Sequence, residues 1–166
     1  LLEADAKAIA ADDKFVRVTT ESKEAAIHFV INQASIRGQE LKKEDIEALK
    51  EFVKNAASTE NVEFKGVEIA AYASPDGAEE LNTKLAGNRL KNTEQYLARE
   101  LKKSKVGGME NEGFILSNAT PEDWDGFKKL MQESTIEDKE LILRVLSMYS
   151  DPVVREKEIK NISAAY

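Results

Sequence analysis

The chain has 166 residues, 42% hydrophobic and 33% charged, with only 8 glycines and 3 prolines, which suits one domain with one core and excludes disordered, collagen-like and linker-dominated classes. Its 31 acids against 24 bases argue against a general nucleic-acid binder and against simple adsorption on an anionic membrane, since both rest on positive charge. Cysteine is absent, which excludes disulfides, a thiolate nucleophile, iron–sulfur ligation and sulfur-based zinc sites.

No apolar run approaches the roughly 20 residues of a transmembrane helix. The start, Leu1-Leu2-Glu3-Ala4-Asp5, has neither the basic leader nor the apolar stretch of a signal peptide, and it lacks an initiator methionine. A processed chain or a piece of a longer one is expected, and the compartment stays open.

Residues 14–20 (KFVRVTT) predict a strand from Phe15, Val16 and Val18 among β-branched neighbours. The run 25–32 (AAIHFVIN) is apolar up to Ile31 with one interruption at His28, and it predicts a strand buried on both faces. Over 42–57, Ile46, Leu49, Phe52, Val53 and Ala56 recur at steps of three and four and predict a helix. Residues 61–72 return to strand character, with Val67, Ile69 and Ala71 alternating against Glu68 and Ala70. Ser74-Pro75-Asp76-Gly77 then forces a turn, because proline fixes φ, aspartate bonds nearby amides and glycine tolerates positive φ.

A long helix is predicted over 79–102, with Ala86, Leu90, Thr93, Leu97 and Leu101 on its apolar side and Leu81, Leu85 and Tyr96 broadening it. Residues 104–119 read as a glycine-bearing connection with one short strand at Phe114-Ile115-Leu116. Thr120-Pro121-Glu122-Asp123 resembles a capping box, with Thr120 as the cap, and opens a helix carrying Trp124, Phe127 and Met131. Thr135 with Asp138 repeats the device, and Leu141, Ile142, Val145, Leu146 and Tyr149 form the next predicted buried face. Asp151-Pro152 starts a last helix with Ile159 and Ile162 at helical spacing and a mixed-charge, solvated remainder. Alternating strands and long helices predict an α/β (α+β) two-layer sandwich, one domain over 1–166.

Reactive chemistry has little support. His28 is the only histidine and lies in an apolar run, which favours a hydrogen-bonded structural role over catalysis. No histidine-based metal site or serine–histidine–acid arrangement is visible, and Gly107-Gly108 lacks the lysine and hydroxyl of a phosphate loop. Acidic pairs such as Glu79-Glu80 and Glu122-Asp123 are expected by chance in so acidic a chain. No catalytic residue, metal ligand or cofactor is therefore assigned.

The informative constellation is Ser74, Asp76, Gly77, Asn82, Leu85 and Arg89. Positions 82, 85 and 89 occupy neighbouring helical turns, near the unpaired amides of the helix start, where a carboxylate is stabilised and a guanidinium grips one through paired hydrogen bonds. The competing reading is loop anchoring: Asn82 tethers the turn, Leu85 packs inward, and Arg89 pairs with Asp76 or a nearby acid.

The stretch IAAYASPDGAEELNTKLAGNRLKNTEQYLARELKK resembles the OmpA-like C-terminal domain, whose signature is a strand, a turn with aspartate and glycine, then Asn, Leu and Arg at a helix start; Gly77, Asn82, Leu85 and Arg89 stand in that register. The strand and helix predicted over 25–57 match the family's first pair, so the resemblance covers about 25–103, inside a β/α core placed at 14–103. It implies a sandwich that binds the acidic peptidoglycan stem peptide without covalent chemistry, through a turn aspartate and the helix arginine. Here Ser74 stands at the aspartate position, and a hydroxyl cannot neutralise an ammonium, so the resemblance implies weakened or altered recognition by Arg89, Asp76, Ser74, Asn82 and Gly77.

Residues 120–166 resemble the helical insertion or extension of OmpA-like domains in large Bacteroidetes envelope proteins, some with tetratricopeptide repeats elsewhere. The family's closing arginine motif and strand are not found before Tyr166, so the strand is expected beyond the sequence, or else the sheet has a different edge or lacks that strand and keeps a pairing-prone boundary. The resemblance thus implies a non-enzymatic, periplasmic, outer-membrane-associated module of a longer envelope protein, with other domains of that protein and stem peptide as partners and no nucleic acid. The alternative is a structural or protein-interaction domain on the same scaffold, with Trp124, Phe127 and the later helices docking to a neighbour.

Overall fold

The computed structural model describes residues 18–163 and shows a mixed α+β fold: five α-helices and a two-stranded parallel sheet. In chain order these are α1 (Glu44–Ser58), preceded by a 3-10 turn at Glu40–Lys42, then β1 (Val67–Tyr72), α2 (Glu79–Lys103), β2 (Ile115–Thr120), α3 (Trp124–Glu133), α4 (Lys139–Met148) and α5 (Pro152–Ser163).

The centre is a β1-α2-β2 unit. Parallel strands cannot be joined by a tight turn, and the long helix supplies the crossover. Val67 pairs with Ile115 and Tyr72 with Thr120, in register throughout. The alternation in β1 is as predicted, with Ile69 and Ala71 buried and Glu68 and Ala70 exposed. Leu101, Val106 and Phe114 form the buried centre of this half, covered by Val53 and Ala57 of α1 and by Phe64, Val67, Leu97, Met109 and Ile115.

The C-terminus of α2 closes in a Schellman arrangement: Val106 N–H donates to Leu101 O at 3.1 Å and Lys105 N–H to Lys102 O at 3.1 Å, with Lys105 left-handed at φ 56°. Val106 packs on Leu101, the hydrophobic contact that usually accompanies this cap.

The helical half has its own core. Met131, Ile142 and Leu146 are buried there, flanked by Trp124, Phe127, Leu143, Ile159 and Ile162. Trp124 and Phe127 meet edge to face, with ring centroids 6.1 Å apart, and the Arg155 guanidinium lies 5.5 Å from the centre of the Trp124 ring.

Several sequence expectations are corrected. The strand predicted over 14–20 lies outside the described residues at 14–17, and residues 18–20 have no regular structure. The run 25–32 joins no sheet: most of it is exposed, and Ile31 is 78% exposed. Apolar content marks a segment as fit for burial but does not supply a pairing edge. Here Asp45 and Glu40 accept the amides of Ala26 and His28, Arg89 and Asn92 donate to carbonyls of residues 30–34, and Asn32 turns the chain at φ 57°. His28 is consequently exposed rather than buried, its Nδ1 3.1 Å from Lys43 Nζ and 3.6 Å from Glu40 Oε2.

The strand expected over 61–72 begins only at Val67, and the short strand at 114–116 extends to Thr120. Thr120 ends β2 and is no helix cap. The cap of α3 is Asp123, whose carboxylate accepts from Gly126 N–H at 2.9 Å; a side chain on Gly126 would overlap that carboxylate. Asp138 precedes α4 without a side-chain cap bond, whereas Asp151 accepts from Val153 N–H at 2.9 Å with Pro152 in the first helical position, as expected. Leu81 and Leu141 are exposed because each falls off the stripe that its helix turns inward, and Tyr149 is exposed because it stands in extended conformation at the C-cap, past the end of α4.

Candidate functional site

The end of β1 delivers the turn. Ala73 is buried, its N–H continues the strand pairing to Thr120 O at 3.1 Å, and its carbonyl accepts Asp123 N–H at 3.3 Å, so the turn and the start of α3 share an anchor. Ser74 and Asp76 are exposed beyond it. Gly77 has φ +99°, a conformation that L side chains rarely adopt, and this explains glycine there although a Cβ would meet nothing within 4 Å. Asn82, only 1% exposed, donates to Gly77 O at 3.5 Å and tethers the turn, as the loop-anchoring reading expected.

Arg89 is placed differently from either sequence reading. It is 8% exposed, on the inward stripe of α2 with Asn82 and Ala86. Its Nε donates to Gln33 O at 3.0 Å, one terminal nitrogen to Tyr72 O at 2.8 Å and the other to Val30 O at 3.2 Å, while Phe29 lies against its face at 5.1 Å. Among the described residues no carboxylate pairs with it. Burial pushes its pKa down from the ordinary arginine value, the desolvation cost of a cation whose partners are neutral carbonyls. Arg89 therefore clamps the 30–33 segment to the end of β1, below the turn, and does not meet Ser74 or Asp76 in the manner that the resemblance implies.

The groups that do meet at the turn come from α5, whose charged residues read as solvated face in the sequence. Gly77 N–H donates to Glu156 Oε1 at 2.9 Å. Lys160 Nζ lies 2.5 Å from Glu156 Oε1 and 3.5 Å from Asp76 Oδ1, so one ammonium bridges two carboxylates. Lys160 and then the Gly77 amide hold the Glu156 carboxyl below its ordinary range, and Glu156 in turn raises the Lys160 ammonium. The one signal for this in sequence was the i, i+4 spacing of Glu156 and Lys160, which places both on one side of α5.

The start of α2 adds little attraction for an anion. Ala78 at its N-cap position has no capping side chain, and Glu79 and Glu80 line a shallow, open depression with Thr83 and Lys84. A second charged cluster stands apart: buried Glu40 binds Arg37 at 2.7 Å and Lys43 at 2.7 Å, and Lys43, followed by the His28 amide, holds its carboxyl low. No group of three or more His, Cys, Asp or Glu residues able to hold a metal occurs among the described residues, and no described helix is long and apolar enough to cross a membrane.

Comparison with family models, curated proteins and solved structures returned no match for this chain.

Proposed function

We propose that this chain is a non-enzymatic cell-envelope module on an OmpA-like two-layer scaffold, binding peptidoglycan stem peptides without covalent chemistry, in the periplasm and associated with the outer membrane through other parts of a longer protein. The observation that carries the binding reading is the Glu156 carboxylate on the Gly77 amide at 2.9 Å: the turn offers an N–H to a carboxylate, the group that an acidic stem peptide presents. In this reading Gly77 receives the carboxylate, Asn82 holds the turn in shape, and Asp76, with Ser74 beside it, faces an ammonium. Arg89 contributes rigidity from below.

Titration calorimetry with soluble muropeptide is the test. Heat should appear with the wild-type chain and decrease for Asp76→Asn; the absence of heat with every stem peptide, in the wild type and in Glu156→Ala alike, would remove the peptidoglycan reading.

The burial of Arg89 favours a second reading, a structural or protein-interaction domain that no longer binds ligand. Trp124 and Phe127 pack within the helical core, so a docking face on this half would use the exposed Leu130, Leu141, Met148 and Val153 instead.

A further inference from the structure

The turn at 74–77 is already occupied from within the chain, and this has a consequence for its regulation. The two halves of the molecule have separate hydrophobic cores, and neither cluster contains a residue of the other. At the turn, α5 reaches the β/α half through polar groups: the Glu156 carboxylate on Gly77 N–H and the Lys160 ammonium beside Asp76. Glu156 is three residues before Ile159, which packs on the helical core, so the carboxylate is presented one turn away from the point where α5 is anchored. Asp76 and Lys160 have more than half of their side chains in solvent, at 75% and 62% exposure, whereas Glu156 is 24% exposed. The contact is thus solvated at its rim and rests on a few exchangeable polar bonds.

We propose that α5 is a latch on this turn, with Glu156 as its resident carboxylate. An outside carboxylate reaches the Gly77 amide only when Glu156 withdraws, and movement of the helical half is coupled to opening of the turn. The apparent affinity for any carboxylate ligand then falls in proportion to the fraction of molecules with the latch open. Lys160 strengthens the closed state by pairing with Glu156 and Asp76 together, so both turn contacts loosen when α5 leaves.

The proposal rests on the carboxylate-binding reading of the turn, and its test separates the two. The amide resonance of Gly77 in the full chain is followed by NMR during titration with acetate, for the wild type, Glu156→Ala and Glu156→Gln. The latch predicts that acetate moves the Gly77 signal of Glu156→Ala at roughly tenfold lower concentration than in the wild type. Glu156→Gln, which keeps the side-chain shape and an acceptor oxygen without the charge, should fall between them. Equal response of all three chains, or no response of Gly77 in Glu156→Ala, overturns the latch. Equal acetate response together with muropeptide binding by the wild type would leave the binding reading standing without it. Conversely, acetate capture by Glu156→Ala with no muropeptide binding by any chain upholds the latch and removes the stem peptide as ligand.

Discussion

The β/α half and the helical half are held together by different means. In the first, a βαβ unit brings distant residues into register, and polar side chains bind the irregular 26–34 segment to it: buried Arg89 and half-buried Asn92 take carbonyls of residues 30–34, and buried Glu40 takes the amide of His28. In the second, three short helices joined by brief connections bury Met131, Ile142 and Leu146 through local contacts. The first half therefore depends on specific directional bonds between remote segments, and the second on amphipathic stripes that neighbours in sequence can satisfy. A region of the first kind is vulnerable to loss of one polar anchor, whereas the second is vulnerable mainly to loss of apolar volume.

The largest expected effects test whether these halves unfold together. Leu101→Ala opens a cavity at a fully buried position and should cost about 3–4 kcal/mol, and Leu146→Ala about 2–3 kcal/mol in the other core. If chemical denaturation of both variants gives one transition followed equally by Trp124 fluorescence and by circular dichroism, the halves are a single cooperative unit; separated transitions would show that the polar turn contacts couple them only weakly.

Arg89→Ala should cost about 3 kcal/mol, since it leaves three carbonyls without their charged donor, and Arg89→Lys should recover only part because an ammonium cannot span the same fork. A loss below about 0.5 kcal/mol in the same denaturation would refute the clamp.

Acid should act on both halves with a known sign. Glu156, Glu40 and Asp45 all have folded pKa values below their ordinary ones, because of Lys160, Lys43 and the Ala26 amide respectively. Their contribution is complete above the unfolded carboxylate values of about 4 and is lost as pH falls through the lowered folded values. Thermal melts between about pH 6 and pH 2 should show falling stability, with a shallower fall for Glu156→Ala. An unchanged slope in that variant would mean that the Glu156 contact adds nothing to the fold.

The smallest effect is a gain. Lys105 holds the left-handed position after α2, where glycine is preferred, so Lys105→Gly should stabilise by about 0.5–1 kcal/mol, read as a raised melting temperature.

Helix positions were legible because periodic apolar spacing is a local property: the helices predicted over 42–57 and 79–102 match α1 and α2 within two residues at each end. The Schellman closure of α2 was less visible, since lysine stands where the motif prefers glycine. Capping residues misled at Thr120, which had both the right chemistry and a following proline, because strand pairing with Tyr72 carried it into β2. The candidate site was legible as a turn with Asn82 behind it. Even the burial of Arg89 has a trace in the sequence, since it falls on the stripe through Asn82, Ala86, Thr93, Leu97 and Leu101, although a charged side chain ordinarily marks the solvated face.

Composition and periodicity alone determined the mixed helix and strand character, the main helices, the alternation in β1 and the turn at Gly77, since each follows from the preferences of neighbouring residues. Only the tertiary structure decided that β1 pairs with β2, that residues 25–32 stay outside the sheet, that Arg89 faces carbonyls and that Glu156 seats itself on the turn 79 positions away in the chain. These are partner choices. A sequence states which groups need a partner, but which one each obtains is settled when packing brings distant segments together and buried donors must find acceptors within reach.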